Sequence, residues 1–384
     1  MKIAYFTDTF YPEINGVTNT LNNLIAYLRK TGTEYLVFAP DYDEECEAFE
    51  EAVIRFKGHR PLVNPSSRLA LPNYKTVRNA IIEFDPDVIH ITTELGIGLC
   101  GLRVARDLNI PIVMSYHTNF DSYLNFYGFG QMGKPYWGYM KWFHSFAEVN
   151  LCPSSDTLST LEKRGFRNPD VWSRGIDSSV FSPECYSEDV RSRLGGAGKT
   201  VFLYVGRIAK EKGLDTLAKA IRIINEKHKD EIVFTFTGDG PYLKELEEMN
   251  IPNAVFTGFL QKKELAEIYA SSDVFVFPSG TETFGNVLLE AMSSGLPVIC
   301  TDSGGVTDFT NHLENAYVCR YKDCASLAFG MSEMLNNPEL RCELKKEAFE
   351  TADMRSWDYI FEGLISQYER ALEKSEVFIK RLAG

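Results

Sequence analysis

Val274-Phe275-Val276-Phe277-Pro278-Ser279-Gly280-Thr281-Glu282-Thr283-Phe284-Gly285-Asn286-Val287-Leu288-Leu289-Glu290-Ala291-Met292 is the stretch that settles the architecture. Val274 to Pro278 is a short, near-continuous apolar run, as a strand covered on both faces requires. A polar turn with Gly280 follows, and Thr283 to Asn286 then opens a helical apolar pattern through Val287, Leu288, Leu289, Ala291 and Met292. Strand, glycine turn and helix make one βα unit. The same order recurs at Thr200 to Gly206, Ile232 to Gly238, Val298 to Thr301 and Ala316 to Cys319. It is also present in the first half, at Lys2 to Thr7, Glu34 to Ala39, Val88 to Ile91, Ile112 to Ser115 and Val149 to Pro153. Such alternation predicts an α/β protein with two parallel-sheet domains.

The length of 384 residues fits two domains, and 44% hydrophobic against 24% charged residues is the composition of a folded chain. The boundaries expected are 1–178 and 179–356, with a terminal amphipathic helix in 357–384. That helix is read from Ile360, Leu364, Tyr368 and Leu372 at helical spacing behind Ser356. Asp177 to Lys199, rich in Ser, Pro and Gly, is the expected linker. The cleft between the domains is then the default site. A net charge of −13 removes the electrostatic basis for nucleic-acid binding. Eight cysteines without a CxxC pair read as reduced thiols, Asp8 comes too early for a signal peptide, and no apolar run spans a bilayer. The expectation is a cytoplasmic protein, with membrane contact confined to the inner face.

Ligands of open parallel sheets collect where strands end and helices begin, because helix N-termini present unpaired N–H groups. Arg207 and Lys212 follow the strand that ends at Gly206, and two cations there can converge on a diphosphate. Two solvated charges are the alternative. Gly238-Asp239-Gly240-Pro241 makes a second turn of this kind. Glu282 and Glu290 stand eight residues apart. Glu290, inside an apolar run, needs donors such as a cation or a ribose diol, and a buried salt bridge competes with that reading. Glu282 and the N–H groups of Thr283, Phe284, Gly285 and Asn286 suit sugar and phosphate oxygens. In the first half, Gly16 opens a helix after the first strand, and His117 follows the strand Ile112 to Ser115 at a ligand-side end.

Gly96-Ile97-Gly98-Leu99-Cys100-Gly101 matches the dinucleotide fingerprint, but it stands four residues past its strand and lacks the ribose acid, so NAD is not expected. Asp41-Tyr42-Asp43 and Asp85-Pro86-Asp87 read as solvated loops rather than metal sites. Ala52 to Ile82 holds no Asp or Glu, and its cations Arg55, Lys57, Arg60, Arg68, Lys75 and Arg78 suit either an anionic lipid or acceptor phosphate, or a plain solvated face. The aromatic segment Tyr116 to Phe146 is mainly core, with Tyr123 among the residues open to an acceptor.

Taken together, Asn15-Gly16-Val17, Ser115-Tyr116-His117-Thr118, Gly206-Arg207 with Lys212-Gly213, Gly238-Asp239-Gly240-Pro241, and Glu282-Thr283-Phe284-Gly285 with Glu290 resemble the retaining glycosyltransferases of family four. The resemblance covers essentially the whole chain. It implies the GT-B fold, two Rossmann-like domains facing across a cleft, with the C-terminal helix crossing back to the first. It further implies that Arg207 and Lys212 hold the donor diphosphate in place of a metal, Gly16 approaches it, and Glu290 takes the ribose. Glu282 and the N–H groups after it take the hexose, and His117 meets the 6-hydroxyl region. The first half looks most like GDP-mannose-dependent α-mannosyltransferases acting on lipid or phosphatidylinositol-type acceptors. UDP-glucose-dependent diacylglycerol glucosyltransferases share the motifs, so the donor stays open between GDP-mannose and a UDP-hexose. Retention without a free nucleophile favours front-face attack, the departing phosphate taking the acceptor's proton. A sugar-nucleotide epimerase of the same fold and a non-catalytic nucleotide-sugar binder are the readings from other classes.

Overall fold

The computed structural model describes residues 1–42, 52–59, 68–117 and 133–383, with side chains as far as Ser375. Two compact units result. Of the described residues, 1–117, 133–173 and 357–383 form the first and 174–356 the second.

The first unit carries β1 (Lys2–Phe6), β2 (Glu34–Asp41), β3 (Val53–His59), β4 (Leu69–Ala70), β5 (Val88–Ile91), β6 (Ile112–Ser115), β7 (Val149–Cys152) and β8 (Pro169–Val171). They lie in the order β4-β3-β2-β1-β5-β6-β7-β8. Every pairing is parallel except β3 with β4. The central strands are apolar because helices cover both faces, and Ile3, Tyr5, Val88 and Val113 are fully buried. Chain order reverses between β1 and β5, which makes that gap the switch point of the sheet.

The helix Trp357–Ala383 belongs to this first unit although it follows the second in sequence. Its Phe361, Leu364, Tyr368 and Ala371 are buried against the helix Gly16–Thr31 and the sheet, as their i, i+3, i+4 spacing requires. Lys30 pairs with Asp358 at 2.5 Å. Beneath it runs a buried polar chain that periodicity does not reveal: Tyr5 OH to Tyr368 OH at 3.1 Å, Tyr368 OH to His90 Nδ1 at 2.7 Å, and His90 Nε2 to Ser115 Oγ at 2.6 Å. Burial pushes the His90 pKa down to about 3, so the ring is a neutral hydrogen-bonding group.

The second unit carries β9 (Thr200–Val205), β10 (Ile232–Thr237), β11 (Ala254–Gly258), β12 (Val274–Val276), β13 (Val298–Thr301) and β14 (Tyr317–Cys319). Their order is β11-β10-β9-β12-β13-β14, all parallel. This is the dinucleotide-fold order, and its switch point lies between β9 and β12.

Two expectations are corrected. Asp177 to Lys199 is not a linker, since the chain divides after Ser173, and the boundary at 178 moves with it. Its serines are caps: Ser182 accepts from Glu184 N and Ser187 from Val190 N, at the starts of a short turn and of the helix Glu188–Arg193. Phe181, Val190 and Leu194 are buried in the second unit's core. Strands β3, β4, β8 and β11 are additions, half-buried or very short elements at or next to the sheet edges that lack the long continuous apolar run of a doubly covered strand.

Candidate functional site

The second unit brings most of the anticipated residues to its switch point. Gly206 and Arg207 leave the end of β9, and Lys212 closes the turn Lys210–Lys212. From the end of β12, Ser279 to Gly285 runs to the helix Asn286–Ser293. Lys212 Nζ bonds Glu282 Oε1, which also accepts from Ser279 Oγ at 3.1 Å. Both side chains are mostly buried, 11% and 19% exposed, so the pair is shielded from screening by salt. Arg207 is half-exposed, and its guanidinium lies 3.7 Å from the carboxylate of buried Glu211. The sequence suggested two cations waiting for an anion. Folding instead gives each a carboxylate partner.

Glycine is required at two of these turns. At Gly238, φ is +134° and a Cβ would stand 2.0 Å from the Gly206 carbonyl oxygen, so the turns after β9 and β10 touch backbone to backbone. At Gly285, φ is +99° and no side chain caps the helix that starts there. Its first-turn dipoles are available to an anion. Phe284 stacks on Phe309 at 5.0 Å and is buried, so that position offers a ligand its backbone only.

Glu290 lies one turn beyond Asn286 on the same helix face. Its Oε2 accepts from Tyr269 OH at 3.0 Å. Burial raises its pKa to about 7, with the Tyr269 bond and the Lys262 charge acting against the rise. The buried salt bridge offered as an alternative is absent among the described residues: the donor is a neutral phenol, and the acid stays hard to ionise.

In the first unit, Gly16 is exposed at the start of its helix with nothing within 4 Å of a would-be Cβ. Asn15 caps that helix, its Oδ1 accepting from Val17 N at 3.0 Å and Thr18 N at 2.9 Å. His117, partly exposed, meets Trp172 edge-on at 5.8 Å. Asp8 is the residue that sequence reading missed. It follows β1, is 5% exposed, and accepts from Ile97 N at 2.8 Å, Leu95 N at 3.1 Å and Thr93 Oγ1 at 2.7 Å. A built-in carboxylate thus occupies the N-terminus of the helix Gly96–Leu108, where the fingerprint glycines sit, and no phosphate can share it. Nothing local in the sequence announces a cap reaching across some ninety residues.

The basic segment divides. Arg68 is buried, its guanidinium 5.5 Å from the Tyr42 ring centroid, and Arg55 donates to the Tyr11 and Pro40 carbonyls at 3.1 Å each. Those two are packing residues, which corrects the picture of one uniform cationic face. Lys57 and Lys75 are exposed and Arg78 partly so. Arg60, Tyr123, Asp43 and Thr118 lie outside the described residues. Asp85 and Asp87 stand at the opposite end of the sheet from the switch point, Asp87 Oδ2 accepting from Lys2 N at 2.7 Å.

Residues 188–351 match the family described as glycosyl transferases group 1, and residues 14–180 match Glycosyltransferase Family 4. A GDP-mannose-dependent alpha-mannosyltransferase of Mycobacterium tuberculosis is 35% identical over 80% of this chain and 81% of its own length. The chain belongs to the family 4 glycosyltransferases. An alpha-monoglucosyldiacylglycerol synthase of Streptococcus pneumoniae is 28% identical over 100% of this chain and 90% of its own length. The Anabaena protein HepE, solved with UDP and glucose, superposes with a TM-score of 0.77 at 18% identity, covering 96% of this chain and 99% of its own. That likeness establishes the GT-B fold. This glycosyltransferase is accordingly a hexosyltransferase, as the motifs implied. No described helix is long and apolar enough to cross a membrane.

Proposed function

We propose that this glycosyltransferase moves mannose from GDP-mannose to a lipid-borne hydroxyl with retention and without a metal ion. The observation that carries the reading is the Lys212–Glu282 pair at the second unit's switch point. A diphosphate displaces Glu282 from the ammonium, so the arriving donor both gains Lys212 and frees a carboxylate for its own hexose hydroxyls. Arg207 and the uncapped helix at Gly285 complete the anion site. As the sugar–phosphate bond breaks, charge accumulates on the leaving diphosphate, where these groups lower the barrier most. Glu290 takes the ribose diol. Roles for Gly16 at the diphosphate and His117 at the hexose belong to the same proposal, as does front-face attack with the leaving phosphate accepting the proton.

Mannose is chosen because the mycobacterial relative is named for GDP-mannose. The pneumococcal relative supports a second reading, glucose transfer to diacylglycerol. Exposed Lys57 and Lys75 and partly exposed Arg78, in the basic segment 55–78, support the further proposal of a peripheral contact with the inner face of the membrane. Calorimetry with GDP-mannose, UDP-glucose, UDP-N-acetylglucosamine and NAD, each with and without EDTA, tests the donor. Transfer to phosphatidylinositol or diacylglycerol vesicles tests the acceptor. Binding of NAD alone, loss of all binding in EDTA, or donor turnover without acceptor would each sink the reading.

A further inference from the structure

Two acids follow the strands that flank the first unit's switch point. Asp8, after β1, is consumed by the helix Gly96–Leu108. Glu94, after β5, is not. Its backbone carbonyl is held by Tyr139 OH, and its side chain is 18% exposed. Behind it stands His144, 1% exposed, with Nε2 at 3.3 Å from Glu94 Oε1 and Nδ1 at 2.7 Å from Asn150 Oδ1.

Asn150 determines how that ring is protonated. Its Nδ2 donates to the His144 carbonyl at 3.0 Å and the Arg167 carbonyl at 2.8 Å, so the atom facing His144 must be the acceptor Oδ1. Nδ1 therefore carries a proton. Nε2 of this buried ring rests 3.3 Å from Oε1 and braces the carboxyl from behind. Among the described residues no hydrogen bond reaches Oε2.

We propose that Glu94 is an acceptor-binding residue of the first unit, its Oε2 receiving a hydrogen bond from a hydroxyl of a polyol acceptor, with His144 and Asn150 as positioning residues. A carboxylate at a sheet's switch point selects hydroxyl donors and repels phosphate, so the ligand is the neutral polyol part of an acceptor, such as an inositol or glycerol hydroxyl. The inference rests on the transferase reading for its substrate class.

The test uses the full chain labelled with nitrogen-15 histidine and titrated with myo-inositol and with glycerol, alongside transfer kinetics. At least one polyol should move the His144 Nε2 resonance in the wild type and leave it in place in Glu94→Gln. In that variant the acceptor KM should rise about tenfold or more while the donor KM stays within about twofold, and His144→Gln should show the same split. An unmoved resonance with both polyols, or an unchanged acceptor KM in Glu94→Gln, would overturn the assignment. A resonance that moves in a protein that turns over no nucleotide sugar would instead refute the transferase reading and leave the subsite standing.

Discussion

If Glu290 takes the donor ribose, as proposed, donor binding should be a proton-linked event. In the free protein its pKa is near 7, because burial outweighs the hydrogen bond from Tyr269. A ribose diol can donate two hydrogen bonds to the ionised carboxylate, so the bound state favours loss of the proton. With a pKa of about 7, roughly a tenth of the free protein is ionised at about pH 6 and roughly nine tenths at about pH 8. Donor affinity should therefore rise about tenfold across that range, equivalent to about 1.4 kcal/mol. At about pH 7, close to half a proton should leave per donor bound. Titration calorimetry in buffers of different ionisation enthalpy measures both numbers. Glu290→Gln keeps the shape and still accepts from Tyr269, so it should bind more weakly and show neither dependence. A wild-type affinity flat across this range, or an equal slope in the variant, would refute the assignment of Glu290 to the ribose.

Four other outcomes are expected. Lys212→Met should lower kcat by about 10²-fold or more, and the double variant with Glu282→Gln should lose less than the sum of the single losses, because the two side chains act as one unit. Gly238→Ala, placing a methyl against the Gly206 carbonyl at a φ that disfavours side chains, should cost about 1 to 3 kcal/mol in denaturant unfolding and abolish donor binding. Tyr368→Phe removes the hydroxyl bonded to both His90 and Tyr5, for about 1 to 3 kcal/mol of stability. His90 should make the protein acid-sensitive. Its folded pKa of about 3 lies below the ordinary 6.5, so stability present above about 6.5 is lost as pH falls towards about 3, by at most about 5 kcal/mol. Glu290 has the opposite sign, weakening the fold as pH rises from about 4.5 through about 7. The acid limb of an unfolding-against-pH curve should flatten in His90→Gln.

The sequence alone determined the architecture and pointed to most of the residues that gather at the second unit's switch point. Doubly covered parallel strands must be apolar runs, so β5, β6 and β13 read at their observed limits. Glycine turns at strand ends mark where a backbone must come close to something, and they led to Gly206, Gly238 and Gly285. The strands β3, β4, β8 and β11, at or next to the sheet edges, escaped because partial burial asks less of composition.

Tertiary structure decided the charge pairing. That Lys212 meets Glu282, that Asp8 caps a helix near residue 97, that Arg68 packs on Tyr42, and that Asn150 sets the tautomer of a histidine beside Glu94 all depend on side chains from separate elements of the fold. Local periodicity carries no information about partners brought together by the sheet order. A charged residue reads the same in sequence whether it waits for a ligand or already holds a partner, and only the fold distinguishes the two.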